Sequence, residues 1–336
     1  VVPAVWRDRT LGRTWRIPAE TTDGEVRIIP APWWGPCHPS LGLLRVPVAE
    51  LRRPGTVVQL EEEPWTPTAL LVAASCDCNP LCLFTWENLP SRMPVPWSLI
   101  ERIVLGRATG VIAGSRGAEA VVRGLGFDRP IEVIPQLGVA IPAPLRPRQR
   151  DDALRIAYVG RLVTAKGVDV LLHAAARVRS PIRLTVVGDG PARSRLERLT
   201  ARLGLDPSTV CFAGALPPPE VATRWAVTDV LVLPSRRTPR WTEQFGHVLI
   251  EAMAHEVAVI GSGTGAIPEV IAGAGIVIPA GDPVPLAEAL DELARDRERL
   301  AVLGRAGRMR AEQHFSDAVL AARTRAFHAT MMRERA

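Results

Sequence analysis

An α/β protein built from two Rossmann-like domains is the architecture this 336-residue sequence predicts. The chain is longer than one hydrophobic core comfortably serves. Short β-branched runs alternate with amphipathic helical stretches, the mark of βαβ units around parallel sheets. The alternation breaks once, at the proline- and charge-rich PAPLRPRQRDD (residues 142–152), and then restarts, so a linker is expected there.

In the first half the expected strands are Val26–Ile29, Thr56–Leu60, Leu81–Phe84, Gly110–Ala113 and Ile131–Ile134. Beyond the linker they are Arg155–Val159, Arg183–Val187, Thr209–Phe212, Val230–Leu233, Val257–Ile260 and Ile276–Ile278. Helices are expected over Val168–Val178, Gly246–Ala254 and Ser316–Met331. The domains divide as 1–147 and 148–336, with the last helix packing back on the first domain and a ligand cleft outside the carboxyl ends of the strands.

Apolar residues make up 47% and charged residues 23%, which describes a folded protein with a large buried fraction and excludes general disorder. The net charge of +6 favours anionic partners, but the charges are scattered rather than run together, so nucleic acid is not expected. Of the five cysteines, Cys76, Cys78 and Cys82 are bunched without a nearby histidine, matching neither a disulfide framework nor zinc spacing. Buried thiols in a reducing compartment are expected. The most apolar run, residues 69–84, is interrupted by Asp77, Asn79 and Pro80, and no signal peptide is recognisable. A cytoplasmic protein is expected, suited by charge to the inner face of an anionic membrane. The start on Val1-Val2-Pro3 suggests that an amino-terminal piece is missing.

Lys166 is the only lysine among 41 basic residues, in the stretch GRLVTAKGVDVLL (160–172). Gly160-Arg161 ends a strand and Lys166-Gly167 opens a helix, a pairing of guanidinium and ammonium that suits a phosphate or diphosphate. An isolated pair of this kind would otherwise read as solvated surface. Further on, WTEQFGHVLIEAMA (241–254) sets Glu243 in a loop and Glu251 within the following helix. One carboxylate can meet a sugar hydroxyl and the other a ribose, with the amides around Phe245, Gly246 and His247 turned to phosphate oxygens. The bland alternative is a capped helix with one incidental glutamate.

Together with VVGDGPA (186–192), VCFAGAL (210–216), GTGAIPEVI (263–271) and IPAGDP (278–283), these stretches resemble the family-4 retaining glycosyltransferases of the GT-B fold, from about Leu154 onward. The resemblance implies transfer of a sugar from a nucleotide diphosphate donor with retained anomeric configuration and no metal or cofactor. The lack of any Asp-x-Asp pair agrees with that. It implies that Arg161 and Lys166 neutralise the departing diphosphate. It gives the donor-sugar hydroxyls to Glu243 and the ribose to Glu251. Ala215 and Leu216 would lie beside the base, with Gly160, Gly188, Gln244, Phe245, Gly246 and His247 completing the donor site. The partners implied are a nucleotide sugar and a glycan, lipid or small-molecule acceptor.

LEEEPWTPTALL (60–71), LFTWENL (83–89), VIAGS (111–115) and VIPQLGV (133–139) resemble the acceptor domain of the same family. Two departures stand out. Nothing in residues 1–30 resembles the family's glycine-rich loop, and Trp86, Glu87 and Asn88 stand where many members carry a histidine. Glu63, Trp86, Glu87 and Asn88 are the acceptor-side candidates, against a structural role for each. Seven of nine tryptophans fall in the first hundred residues, and of these only Trp86 is expected at the cleft. Two other classes stay open. Gly261-Ser262-Gly263 with Ala266 and Asp282 partly fits a dinucleotide fingerprint, which would suit an NAD-dependent oxidoreductase. A non-catalytic nucleotide-sugar-binding protein would explain the missing loop.

Overall fold

The computed structural model describes residues 28–35, 42–76, 78–90, 93–143 and 152–335, together with short strands within residues 2–27. Most of the expected linker, residues 144–151, lies outside the described residues. The chain forms two compact units: Val1–Gly114 with Ala118–Ile134 and Thr324–Ala336, and Ser115–Gly117 with Pro135–Arg323. The second unit begins at Pro135 rather than at 148 because Val139 forms a parallel bridge with Ser316 and its amide donates to the Phe315 carbonyl at 2.9 Å.

The first unit is centred on a parallel sheet of β1 (Val58–Leu60), β2 (Leu81–Thr85), β3 (Gly110–Ala113) and β4 (Ile131–Val133), in that spatial order. Every residue of β2 and β3 is buried, as the inner strands of a parallel sheet covered on both faces must be. Thr66 caps the helix Pro67–Ser75, its hydroxyl accepting from the Ala69 amide, with Pro67 at the first helical position where no donor is missed. The Val26 run does not join this sheet. Its strand, Val26–Ile28, pairs antiparallel with Thr21–Asp23. The final helix, Asp317–Arg335, starts in the second unit, and its residues from Thr324 belong to the first. There Phe327 and Met331 press on Gly110, where a Cβ would meet the Met331 sulfur at 2.8 Å, and His328 pairs with Gln59 at 2.7 Å.

The second unit holds β5 (Leu154–Val159), β6 (Ile182–Val187), β7 (Val210–Gly214), β8 (Val230–Leu233), β9 (Ala258–Ser262) and β10 (Ile276–Ile278). All pair in parallel, in the order β7-β6-β5-β8-β9-β10. The order reverses between β5 and β8, so the loops leaving these two neighbours diverge and open a crevice beyond their carboxyl ends. The helix after β5 runs Val168–Ala175, three residues short of the expected end. The chain must be extended before Pro181, and the Arg179 and Ser180 amides turn instead to the Asp291 carboxylate.

Candidate active site

The loop after β5 is tied down from beneath. Tyr158, the only tyrosine of the chain, is fully buried, and its hydroxyl donates to the Arg161 carbonyl at 2.9 Å. Burial pushes this phenol up, the Glu243 charge adds to the shift, and Arg161 opposes it, so it stays a donor. The Arg161 side chain itself is exposed. Gly188, at the end of β6, has φ +134°, and a Cβ there would lie 1.9 Å from the Gly160 carbonyl oxygen, so only glycine lets the two loops approach this closely. Lys166 does not open the helix as expected. It closes a 3-10 turn, Thr164–Lys166, and Gly167 caps the helix after it.

From β8 comes the other wall. Lys166 Nζ lies 3.0 and 2.7 Å from the two oxygens of Glu243, and the Ser235 hydroxyl donates to the nearer of them at 2.7 Å. The ammonium also stands 5.2 Å from the centre of the Trp241 ring, within cation–π reach. The lysine side chain is 16% exposed and the glutamate 7%, so both ions have left most of their water. Such a pair persists only where further hydrogen bonds satisfy it, and Ser235 supplies one. Behind Glu243 its carbonyl accepts from the Ala266 amide at 3.0 Å, and Gly265, with φ +56°, packs so close that a Cβ would lie 2.1 Å from that oxygen. The GTGAIPE stretch is therefore a backing plate for Glu243. The same packing answers the dinucleotide reading: the loop closes on Glu243, and the helix that follows, Ile267–Ile271, has five residues, too few to present a pyrophosphate site.

Gly246 caps the helix His247–Ala254, which places Glu251 one turn along from His247. His247 Nδ1 lies 2.9 Å from Glu251 and Nε2 lies 2.9 Å from the Gly138 carbonyl. Burial works against the charge on this ring, but the hydrogen bonds to Glu251 and Gly138 and the charges of Glu251 and Asp317 together raise its pKa. Phe245 is buried edge-on against Phe315, and Gln244 is exposed. Ala215 and Leu216 follow β7 directly, exposed and half-buried, respectively.

The second unit thus brings Gly160, Arg161, Lys166, Gly188, Glu243 and the His247 helix to the carboxyl ends of β5, β6 and β8. In the first unit Glu63, Trp86 and Glu87 form a cluster of their own. Glu63 accepts from the Thr85 hydroxyl at 2.5 Å and the Trp86 amide at 3.0 Å, and the Glu87 amide donates to Thr85. Burial raises the Glu63 pKa, those two hydrogen bonds lower it, and the charges of Glu87 and Glu62 raise it further. The Trp86 ring stacks edge-on to Phe84 and fills the place a side chain at Gly114 would need. Asn88 is half-buried beyond them. Tyr158, Ser235 and Trp241 escaped the sequence reading. The single tyrosine three residues before Arg161 was a signal for the first, whereas nothing local marks the other two. Among the described residues no group of three or more His, Cys, Asp and Glu side chains could hold a metal ion, and no helix is long and apolar enough to cross a membrane.

Residues 153–296 match the model of the group 1 glycosyl transferases. The chain carries a glycosyltransferase group 1 domain. It is 32% identical over 248 residues to the D-inositol 3-phosphate glycosyltransferase of Streptomyces bingchenggensis, covering 66% of this chain and 53% of that one. It is 30% identical over 235 residues to the GDP-mannose-dependent alpha-(1-6)-phosphatidylinositol monomannoside mannosyltransferase of Mycobacterium tuberculosis, covering 65% and 60%. The matched region is thus little more than half the length of these curated relatives. Among solved structures, sucrose-phosphate synthase from Thermosynechococcus elongatus superposes with a TM-score of 0.66 at 23% identity, over 82% of this chain and 74% of that one. The Anabaena HepE protein, crystallised with UDP, gives 0.67 at 19% identity over 81% and 78%. The fold that the chain shares with these neighbours is GT-B, α/β with two Rossmann-like domains.

Proposed function

We propose that the protein is a retaining glycosyltransferase of family 4 that takes a sugar from a nucleotide diphosphate donor without a metal ion. The observation that carries the reading is the Lys166–Glu243 pair at the switch point of the second sheet. Charge that grows on the leaving diphosphate as the glycosidic bond breaks needs a preorganised cation, and Lys166 with the exposed Arg161 supplies two. As Lys166 turns to the diphosphate, the Glu243 carboxylate is released to accept hydroxyls of the donor sugar, where it also faces the positive charge developing on the ring. Glu251 takes the ribose, and Ala215 and Leu216 flank the base. On the acceptor side, Glu63, Trp86, Glu87 and Asn88 receive a glycan, lipid or small molecule. The curated relatives are named for inositol-containing compounds, and a lipid of that kind would bring the protein, with its charge of +6, to an anionic membrane face.

A thermal-shift screen of UDP-, GDP- and dTDP-sugars tests this. A true donor at about a hundred times its Kd adds about 2.7 kcal/mol of stability. Glu243→Ala is expected mainly to lower turnover and Glu251→Ala mainly to weaken nucleotide binding. No response to any donor would overturn the reading, and binding without transfer or hydrolysis would favour the non-catalytic alternative.

A further inference from the structure

His247 stands between two groups that can only accept a hydrogen bond, the Glu251 carboxylate on Nδ1 and the Gly138 carbonyl on Nε2, each at 2.9 Å. A neutral imidazole carries one N–H and can serve only one of them, so the geometry is that of an imidazolium with both nitrogens donating. The far acceptor is held in place. Gly138 is backed against Asp317, where a Cβ would come within 2.6 Å of the carboxylate. The next residue is strapped on both sides, with the Val139 amide on the Phe315 carbonyl at 2.9 Å and the Val139 carbonyl accepting from Asp317 at 3.3 Å. The charged groups acting on the ring are Glu251 from its own helix and Asp317 from the start of the final helix. The Phe245 ring, 6.5 Å away between centroids, adds an apolar neighbour. With one nitrogen anchored on a fixed carbonyl, the other fixes one oxygen of Glu251 and leaves the second to a ligand.

We infer that His247 is a positioning residue for the donor nucleotide: as an imidazolium bridging Gly138 and Glu251, it locks the Glu251 carboxylate in the orientation that receives the ribose diol. This rests on the donor-site reading above. Deprotonation leaves one N–H for two acceptors, so one contact turns repulsive and the lock opens. Against the opposing effect of burial, the hydrogen bonds to Glu251 and Gly138 raise the His247 pKa, which moves that loss to higher pH than for an ordinary histidine.

The test uses UDP and GDP as probes, with calorimetry between about pH 6 and pH 9, on the wild type, H247Q, H247R and E251Q. The His247 imidazole is followed by NMR and assigned by its disappearance in H247Q. The ring should titrate above about 6.5 in the wild type and lower in E251Q. At the acid end H247Q should bind about tenfold more weakly, the scale of one charge-assisted hydrogen bond. The wild type should decline toward it as pH rises through the His247 pKa, while H247R, which stays charged, keeps its affinity at high pH. H247Q with wild-type affinity and an unchanged pH profile would overturn the inference alone. A His247 pKa indifferent to E251Q would do the same. Failure of the wild type to bind either nucleotide at any pH would remove the donor-site reading, and this inference with it. If H247Q does not fold, the His247 imidazole is assigned by its disappearance in H247R, and H247R and the NMR titration carry the same decision.

Discussion

At Lys166 an ammonium fits between both Glu243 oxygens and the Trp241 ring, a space bounded by a strand end and a helix start. A compact point charge on a thin stem suits it, and a planar guanidinium does not. Lys166→Arg keeps the charge and is expected to fold but lose most transferase activity, with nucleoside diphosphate binding reduced less than turnover; steady-state kinetics beside calorimetry checks the split. Lys166→Ala is expected to cost more. It strands a carboxylate that is 7% exposed, lowering stability by about 3 kcal/mol, and removes about two to three powers of ten in rate. Urea unfolding measures the first effect. Arg161, Lys166, Glu243 and Glu251 could be singled out as candidates from the sequence, because residue types that suit a diphosphate and two diols stand there at motif spacing. That Lys166 and Glu243 would pair with each other was not legible, since they are 77 positions apart.

Among the elements, strands were legible wherever a β-branched run lay between turn residues, because a buried parallel strand must be apolar throughout. Val26–Ile28 shows the limit: the run looks like its neighbours, yet it pairs locally with Thr21–Asp23, and nothing in three residues says which edge they will find. The loops depend on close backbone approach instead. Gly188→Ala would put a Cβ 1.9 Å from the Gly160 carbonyl, backbone against backbone, and is expected to destabilise by more than about 3 kcal/mol. Gly204→Ala is the control. Its φ is +69° with nothing within 4 Å of the new atom, so only the left-handed conformation is penalised, at about 1 kcal/mol. Chemical denaturation of the two variants separates steric from conformational cost.

At the scale of the whole molecule, one helix serves both units, and its last residues belong to the first unit's core. Met331 is fully buried and Phe327 is 9% exposed, both against Gly110 of β3. Met331→Ala is expected to lower the stability of the first unit by about 3 kcal/mol while leaving nucleoside diphosphate binding unchanged. Limited proteolysis with and without nucleotide reads both effects. Sequence alone determined the α/β class and ten of the parallel strands, because hydrophobic period is a property of short runs. Only the tertiary structure decided that Trp241 covers Lys166 and that His247 reaches Gly138 across 109 positions. The Trp241–Lys166 contact follows from the strand order β7-β6-β5-β8-β9-β10, which makes β5 and β8 neighbours, and no local pattern encodes which strands become neighbours.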